Sequence, residues 1–298
     1  MNLIKRGEPR GDPAEHLLGA LRGGVGREGS PQPPWIALIS LPKALRACPT
    51  ALRVFSTALW KGIQWCTARG VEALYPPFCT LCAAATPSGS HLCAPCSAAI
   101  RSPQGARCQQ CSRVFSGETT LPGRCADCTE AGWAFECAVA PLAASGPVRE
   151  VIHQFKYEQK VYLAPTLSEW MVPGLEDSRL RSPPVDALVP VPLFSARQRQ
   201  RGFNQARLLA IELGRIRALP VLDALKRVRD TGTQTRLGRA QRMSNLRGAF
   251  QCRSEVVRGA HLVLVDDVLT TGATLDACAR VLLQSGAASV RALAVARG

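Results

Sequence analysis

The chain has 298 residues, with 37 Lys and Arg against 22 Asp and Glu for a formal charge of +15. Hydrophobic residues make up 46% and charged residues 20%, which excludes a disordered chain and permits a sizeable core. The length corresponds to about one to three domains, and the surplus of cations points to anionic partners without bearing on the fold.

Residues 1–50 are rich in Gly, Pro and Arg and lack sustained periodicity, so a disordered extension is expected there. The opening MNLIKRGEPR lacks the apolar core and small-residue cleavage site of a secretory signal. The most apolar early stretch, residues 35–60, is broken by Pro42, Lys43, Arg46, Pro49 and Arg53 and is too interrupted for a transmembrane helix. A soluble, cytoplasmic protein is therefore expected. Gly24 to Gly29 matches GxGxxG in form, but no strand precedes it, and the match is attributed to chance. Over residues 51–74, Leu52, Phe55, Leu59, Ile63 and Cys66 recur at helical spacing among Arg53, Lys61 and Arg69. A basic amphipathic helix is expected, packing on its own protein rather than on an anionic membrane surface.

Eleven of the 13 cysteines fall between Cys48 and Cys137, which marks residues 75–137 as a separate module. Four CxxC pairs stand in series: Cys79 and Cys82, Cys93 and Cys96, Cys108 and Cys111, Cys125 and Cys128. A two-residue gap lets both thiolates of a tight turn reach one ion, and two turns complete the tetrahedral shell of structural zinc. Eight ligands make two closed sites, paired either in sequence or interleaved. Zinc fits this spacing better than an iron–sulfur cluster, and closed shells make both ions structural.

Residues 138–298 alternate strand and helix patterns: helices over 148–155, 204–217 and 273–285, and strands over 185–191, 261–266 and 289–296. This predicts an α/β domain with a parallel sheet whose ligand site lies at the carboxyl ends of the strands. The most informative segment runs from Leu262 to Thr274. Four apolar residues form a buried strand, Asp266 and Asp267 follow, and Thr270, Thr271, Gly272, Ala273 and Thr274 open a helix. Such a loop offers N–H groups and hydroxyls to a phosphate, and paired carboxylates suit the vicinal hydroxyls of a ribose. A Walker B strand is the competitor, but the chain has no GxxxxGK[ST].

The acid pair and its Thr/Gly loop resemble the phosphoribosyl-pyrophosphate (PRPP) motif of type I phosphoribosyltransferases. Together with the eight cysteines, Ile152 to Tyr157, Val189 to Pro192 and Arg201 to Gln205, they resemble the ComF family, in which a double zinc ribbon precedes such a domain. The resemblance covers about residues 75–298. It implies that Asp266 and Asp267 bind the ribose hydroxyls, that Thr270 to Thr274 bind the 5′-phosphate, and that the loop carrying Arg197 and Arg201 binds pyrophosphate with Mg²⁺. It also implies a covering segment from Arg229 through Thr231, Thr233, Gln234, Leu237 and Arg242 to Asn245, and a link to DNA uptake and natural competence, through the competence machinery, or to nucleotide metabolism. No segment identifies an acceptor pocket or a general base, so transferase activity comes from the resemblance alone.

From Arg197 to Arg247 there are 13 basic residues against Glu212, Asp223 and Asp230. This supports a second reading, a single-stranded nucleic-acid-binding competence factor whose ribose-phosphate site is a sensor or vestige. Aromatic interleaving is thin, with only Phe203 inside the stretch.

Overall fold

The computed structural model describes residues 77–87, 89–115, 123–231 and 245–298. The expected extension, the amphipathic helix over 51–74, the chance GxGxxG match and most of the covering segment lie outside the described residues. The chain forms two compact units, one ending at Cys93 and one running from Ala94 to Gly298. Among the described residues no helix is long and apolar enough to cross a membrane.

In the shorter unit, Phe78 and Ala85 form an antiparallel bridge around a tight turn. The Cys79 N–H donates to Ala84 O at 2.7 Å and the Ala83 N–H to Cys79 O at 2.9 Å, with Ala83 at φ 59°. The larger unit repeats this geometry: Arg107 bridges Val114, the Cys108 N–H donates to Arg113 O at 2.7 Å, the Ser112 N–H to Cys108 O at 2.9 Å, and Ser112 sits at φ 58°. Each turn is followed by a short helix bearing a last cysteine, α1 (Ala94–Ala98) for Cys96 and α2 (Ala126–Ala131) for Cys128. A duplicated zinc-knuckle geometry thus underlies the four CxxC pairs.

The larger unit continues through β1 (Ala138–Val139), β2 (Leu142–Ala143), α3 (Gly146–Tyr157), α4 (Ala164–Leu175), α5 (Ser178–Arg181), β3 (Ala187–Pro190), α6 (Ser195–Arg201) and α7 (Gln205–Arg217). A two-stranded antiparallel hairpin of β4 (Leu225–Arg227) and β5 (Phe250–Cys252) precedes β6 (His261–Leu269), α8 (Ala273–Gln284) and β7 (Ser289–Arg297). The main sheet runs β1-β7-β6-β3, all parallel, with β2 also pairing β7. The expected helices and strands are all present.

Three differences from the sequence expectation bear on function. First, β6 extends to Leu269, because Val268 and Leu269 pair with Ala296 and Arg297, so Asp266 and Asp267 lie within the strand's last turns. Second, the segment expected to be a pyrophosphate loop is helix α6 after a short connection from β3. Third, α4 forms across Pro173 and Gly174, where the sequence carries helix breakers.

Period-2 alternation sends Leu262, Leu264, Val290 and Ala292 to one face, where Leu275, Cys278, Ala279 and Leu282 of α8 complete the core. Helices α4 and α7 cover β7, β6 and β3 on the other. The second knuckle is bound to this domain. Arg179, paired with Asp177 at 2.7 Å, donates to Gln109 O at 2.8 Å, and Ser112 Oγ donates to Ala138 O at 2.9 Å.

At Gly174 an added Cβ would lie 2.5 Å from Leu293 Cδ1 and 3.1 Å from Pro141 Cγ. Ala ordinarily favours a helix over Gly by about 1 kcal/mol, but here overpacking reverses the sign. Gly174→Ala is expected to lose about 1–3 kcal/mol, read as a lower urea midpoint; an unchanged or higher midpoint contradicts this packing.

Candidate functional site

The Cys79, Cys82, Cys93 and Cys96 sulfurs lie within 4.8 Å of one another, as do those of Cys108, Cys111, Cys125 and Cys128, so the pairs combine in sequence. The separations fit zinc: Cys82 Sγ to Cys93 Sγ is 3.5 Å and Cys111 Sγ to Cys125 Sγ 3.7 Å, against an edge of about 3.8 Å for a tetrahedron with Zn–S near 2.3 Å. The thiols differ in their ease of ionisation: burial raises Cys111 and Cys128, whereas Cys79 and Cys108 are lowered. Burial raises the Cys79 thiol, but N–H groups of Cys93, Leu81 and Cys82 outweigh it and bring it down to about 6. Cys108 falls to about 7 in the same way, against burial, through the N–H groups of Cys125, Cys111 and Gln110. Both shells are all-sulfur and closed, which is the structural form.

At the carboxyl ends of β3 and β6 lies a cavity of about 180 Å³. Asp266, Asp267 and Thr274 line it together with Arg197 and Arg201, so five of the nine expected ligand-binding residues share one hollow. Thr270, Thr271 and Gly272 precede Thr274 in the chain but line a narrow crevice against Cys111, Cys128, Trp133 and Phe135. Ala273 opens α8 and is buried in the core.

The same cavity holds residues that the sequence expectation did not assign to the site. Lys156, at the end of α3, pairs with Asp267 at 2.7 Å, with side chains only 18% and 11% exposed. Arg227 arrives from the hairpin, stacks on Phe250 at 5.6 Å and donates to Thr231 Oγ1. Its Nε has no hydrogen-bond partner among the described residues. Burial, then the neighbouring Arg197, depress the Arg227 pKa. Tyr157 is 64% exposed at the rim, with the Arg201 guanidinium 5.1 Å over its ring. Asn204 caps α7 and donates Nδ2 to Val191 O at 3.1 Å, joining α7 to the end of β3.

The site is therefore bipolar, with four cations facing two carboxylates. Burial first, then the Asp267 charge, push Asp266 up to about 7; Lys156 and the Asp267 N–H, donating to Asp266 Oδ1 at 2.8 Å, pull the other way. Elsewhere in the basic stretch, cations meet local partners: Arg207 pairs with Asp223, Arg215 with Glu212 and Arg217 with Glu176. The cavity itself gathers Lys156, Arg197, Arg201 and Arg227 around Asp266 and Asp267.

Two family models match the chain, Double zinc ribbon domain over residues 70–129 and Phosphoribosyl transferase domain over 199–298. The DNA utilization protein YhgH of Escherichia coli (strain K12) is 34% identical over 228 residues, spanning 74% of this chain and 97% of that protein. Competence protein F of Haemophilus influenzae is 34% identical over 158 residues, spanning 51% of this chain and 68% of that protein. This chain belongs to the ComF family. Competence protein ComFC of Bacillus subtilis is 37% identical over 111 residues, 37% of this chain and 44% of that protein. The ComF-family architecture joins the Cys-rich ribbon region to a phosphoribosyltransferase domain with a parallel sheet.

Two outcomes follow from this geometry. Elemental analysis of the purified chain is expected to find about two zinc ions per molecule; iron, or no metal, contradicts the closed-shell reading. For Asp266, a native pKa above its ordinary 3.8 means the folded state holds a proton that the unfolded chain has lost between about pH 4 and 7, so stability falls as pH rises across that window. Asp266→Asn is expected to raise the melting temperature by several degrees above pH 7, with the gain vanishing below about pH 4. A gain that is independent of pH contradicts the assignment.

Proposed function

We propose that this ComF-family protein binds PRPP together with Mg²⁺ in the cavity at the ends of β3 and β6. The observation that carries this reading is the mixed lining, in which Asp266 and Asp267 share the cavity with Lys156, Arg197, Arg201 and Arg227 and with Thr274 from the first turn of α8. PRPP has the matching arrangement: vicinal hydroxyls that donate to carboxylates, and a pyrophosphate and a 5′-phosphate that accept from cations and N–H groups.

In this reading Asp266 and Asp267 orient the ribose, the 270–274 loop takes the 5′-phosphate, and Arg197, Arg201 and Arg227 take the pyrophosphate. The buried Arg227 Nε–H, which has no hydrogen-bond partner among the described residues, supports its assignment to an anion, since a buried donor left unpaired costs about 1–3 kcal/mol. Lys156, which neutralises Asp267 in the ligand-free site, is freed for a phosphate oxygen once the hydroxyls arrive. The oxygens of Asp266 and Asp267 and of the ligand would hold the hard Mg²⁺ ion, which would offset the negative charge of the pyrophosphate.

A second reading, single-stranded DNA binding, is favoured by the relatives' names, DNA utilization protein and competence proteins, and by exposed Tyr157 and its stacked Arg201 at the rim. Aromatic stacking and backbone contact are the usual means of holding a single strand. The local pairing of Arg207, Arg215 and Arg217 with acids weighs toward the compact phosphate ligand.

Calorimetric titration of the full chain with PRPP and Mg²⁺ is expected to show binding that weakens at least about tenfold in Asp266→Asn/Asp267→Asn, the loss of about 1.4 kcal/mol or more that one charged hydrogen bond supplies. Equal affinity in the double variant overturns the assignment. No PRPP binding, with oligonucleotide affinity that falls steeply with salt, replaces it by the second reading.

A further inference from the structure

The phosphate loop does not stand free on the sheet. Gly272 sits at φ +83°, and a Cβ there would meet Phe135 Cζ at 3.5 Å and the Trp133 ring at 3.6 Å. The two aromatic rings stack with centroids 5.5 Å apart and an interplanar angle of 16°. On its other side, the Trp133 side chain packs against the second Cys₄ group, Cys108, Cys111, Cys125 and Cys128, and shares a crevice with Cys128. The crevice beneath Thr270, Thr271 and Gly272 is walled by the Cys111 and Cys128 side of that cluster.

The backbone between cluster and loop is held as well. Asp276, in the first turn of α8 and buried, accepts from the Ala134 N–H at 2.7 Å and from Arg280 Nε at 2.9 Å. Arg280 in turn donates to Gly132 O at 3.0 Å. Residues 132–135 thus form a strap that begins just after the last zinc-ligand helix and is tied at several points to the helix opened by the phosphate loop.

From this continuity we infer that the second Cys₄ site positions the phosphate loop, with Trp133 and Phe135 as the positioning residues that transmit its shape. The inference rests on the reading of the loop 270–274 as the 5′-phosphate binder. Zinc held by the four cysteines would fix the cluster against which the indole packs, and the stacked Trp133 and Phe135 rings form the surface on which Gly272 closes. The ribbon is then part of the ligand site, although no cysteine touches ligand. The arrangement discriminates between the two phosphate ends: the 5′-phosphate depends on the ribbon, while the pyrophosphate end, held by Arg197, Arg201 and Arg227, does not.

That asymmetry supplies the test. Affinities for ribose 5-phosphate and for inorganic pyrophosphate are measured on the full chain and on Trp133→Ala, each shown by elemental analysis to keep about two zinc ions. Hydrogen exchange of the amides at 271–274 is followed without ligand. Trp133→Ala is expected to weaken ribose 5-phosphate roughly 10- to 100-fold while leaving pyrophosphate within about twofold, and to speed exchange in the loop about tenfold or more. Trp133→Phe, which keeps the stack on Phe135 but presents a smaller ring to the cluster, is expected to fall between the two. Should Trp133→Ala not fold, Trp133→Phe and Phe135→Leu serve the same comparison. Equal exchange and equal ribose 5-phosphate affinity in zinc-loaded variants overturn the inference, as does a parallel loss of both ligands. If the unaltered chain binds no ribose 5-phosphate yet the variants loosen the loop, the positioning role stands and the PRPP reading falls.

Discussion

Two adjacent carboxylates near the end of a buried parallel strand are the constraint around which this molecule is organised. Asp266 and Asp267 cannot both carry charge in an enclosed site without compensation. The fold responds in two ways: Lys156 is brought from α3 to within 2.7 Å of Asp267, and Asp266 holds its proton up to about pH 7 because burial and its neighbour oppose ionisation. Arg197, Arg201 and Arg227 then converge on the same hollow from α6 and β4. The free site is thereby kept in a state that a ligand with hydroxyls at one end and phosphates at the other can relieve.

This arrangement gives the overall charge of +15 a more specific meaning. Several arginines of the basic stretch are spent on acids along α7 and beside it. Arg197, Arg201 and Arg227 instead line the cavity with Asp266 and Asp267, and the buried Arg227 Nε–H has no hydrogen-bond partner among the described residues. The ribbon region fits the same picture. Its second knuckle is held to the sheet domain by Arg179 and Ser112, and through residues 132–135 it reaches the helix whose first turn carries the phosphate loop.

The parts of this account that were legible in the sequence are those whose chemistry is local. Four CxxC pairs, an apolar run ending in two acids, and a Thr/Gly loop opening a helix each carry their meaning within about a dozen residues. Lys156 and Arg227 were not assigned because they reach Asp267 and the cavity from a different helix and from a hairpin, and nothing in their own neighbourhoods announces that convergence. Helix α6 was read as a loop because its sequence, SARQRQR, has no periodic apolar face. Helix α4 forms across Pro173 and Gly174, residues that disfavour a helix in isolation, and Gly174 lets it approach Leu293. Sequential rather than interleaved metal pairing needed the three-dimensional duplication of the knuckle, which spacing alone leaves open.

Burial and Asp267 raise the Asp266 pKa, so under the proposed function Asp266 must ionise to receive the ribose hydroxyls. Calorimetric titration of PRPP with Mg²⁺ at pH 7, in two buffers of different ionisation enthalpy, measures this directly. With a native pKa near 7, binding should release about half a proton per chain, and the release should disappear in Asp266→Asn. Binding without proton release by the unaltered chain, or the same release by the variant, would contradict it.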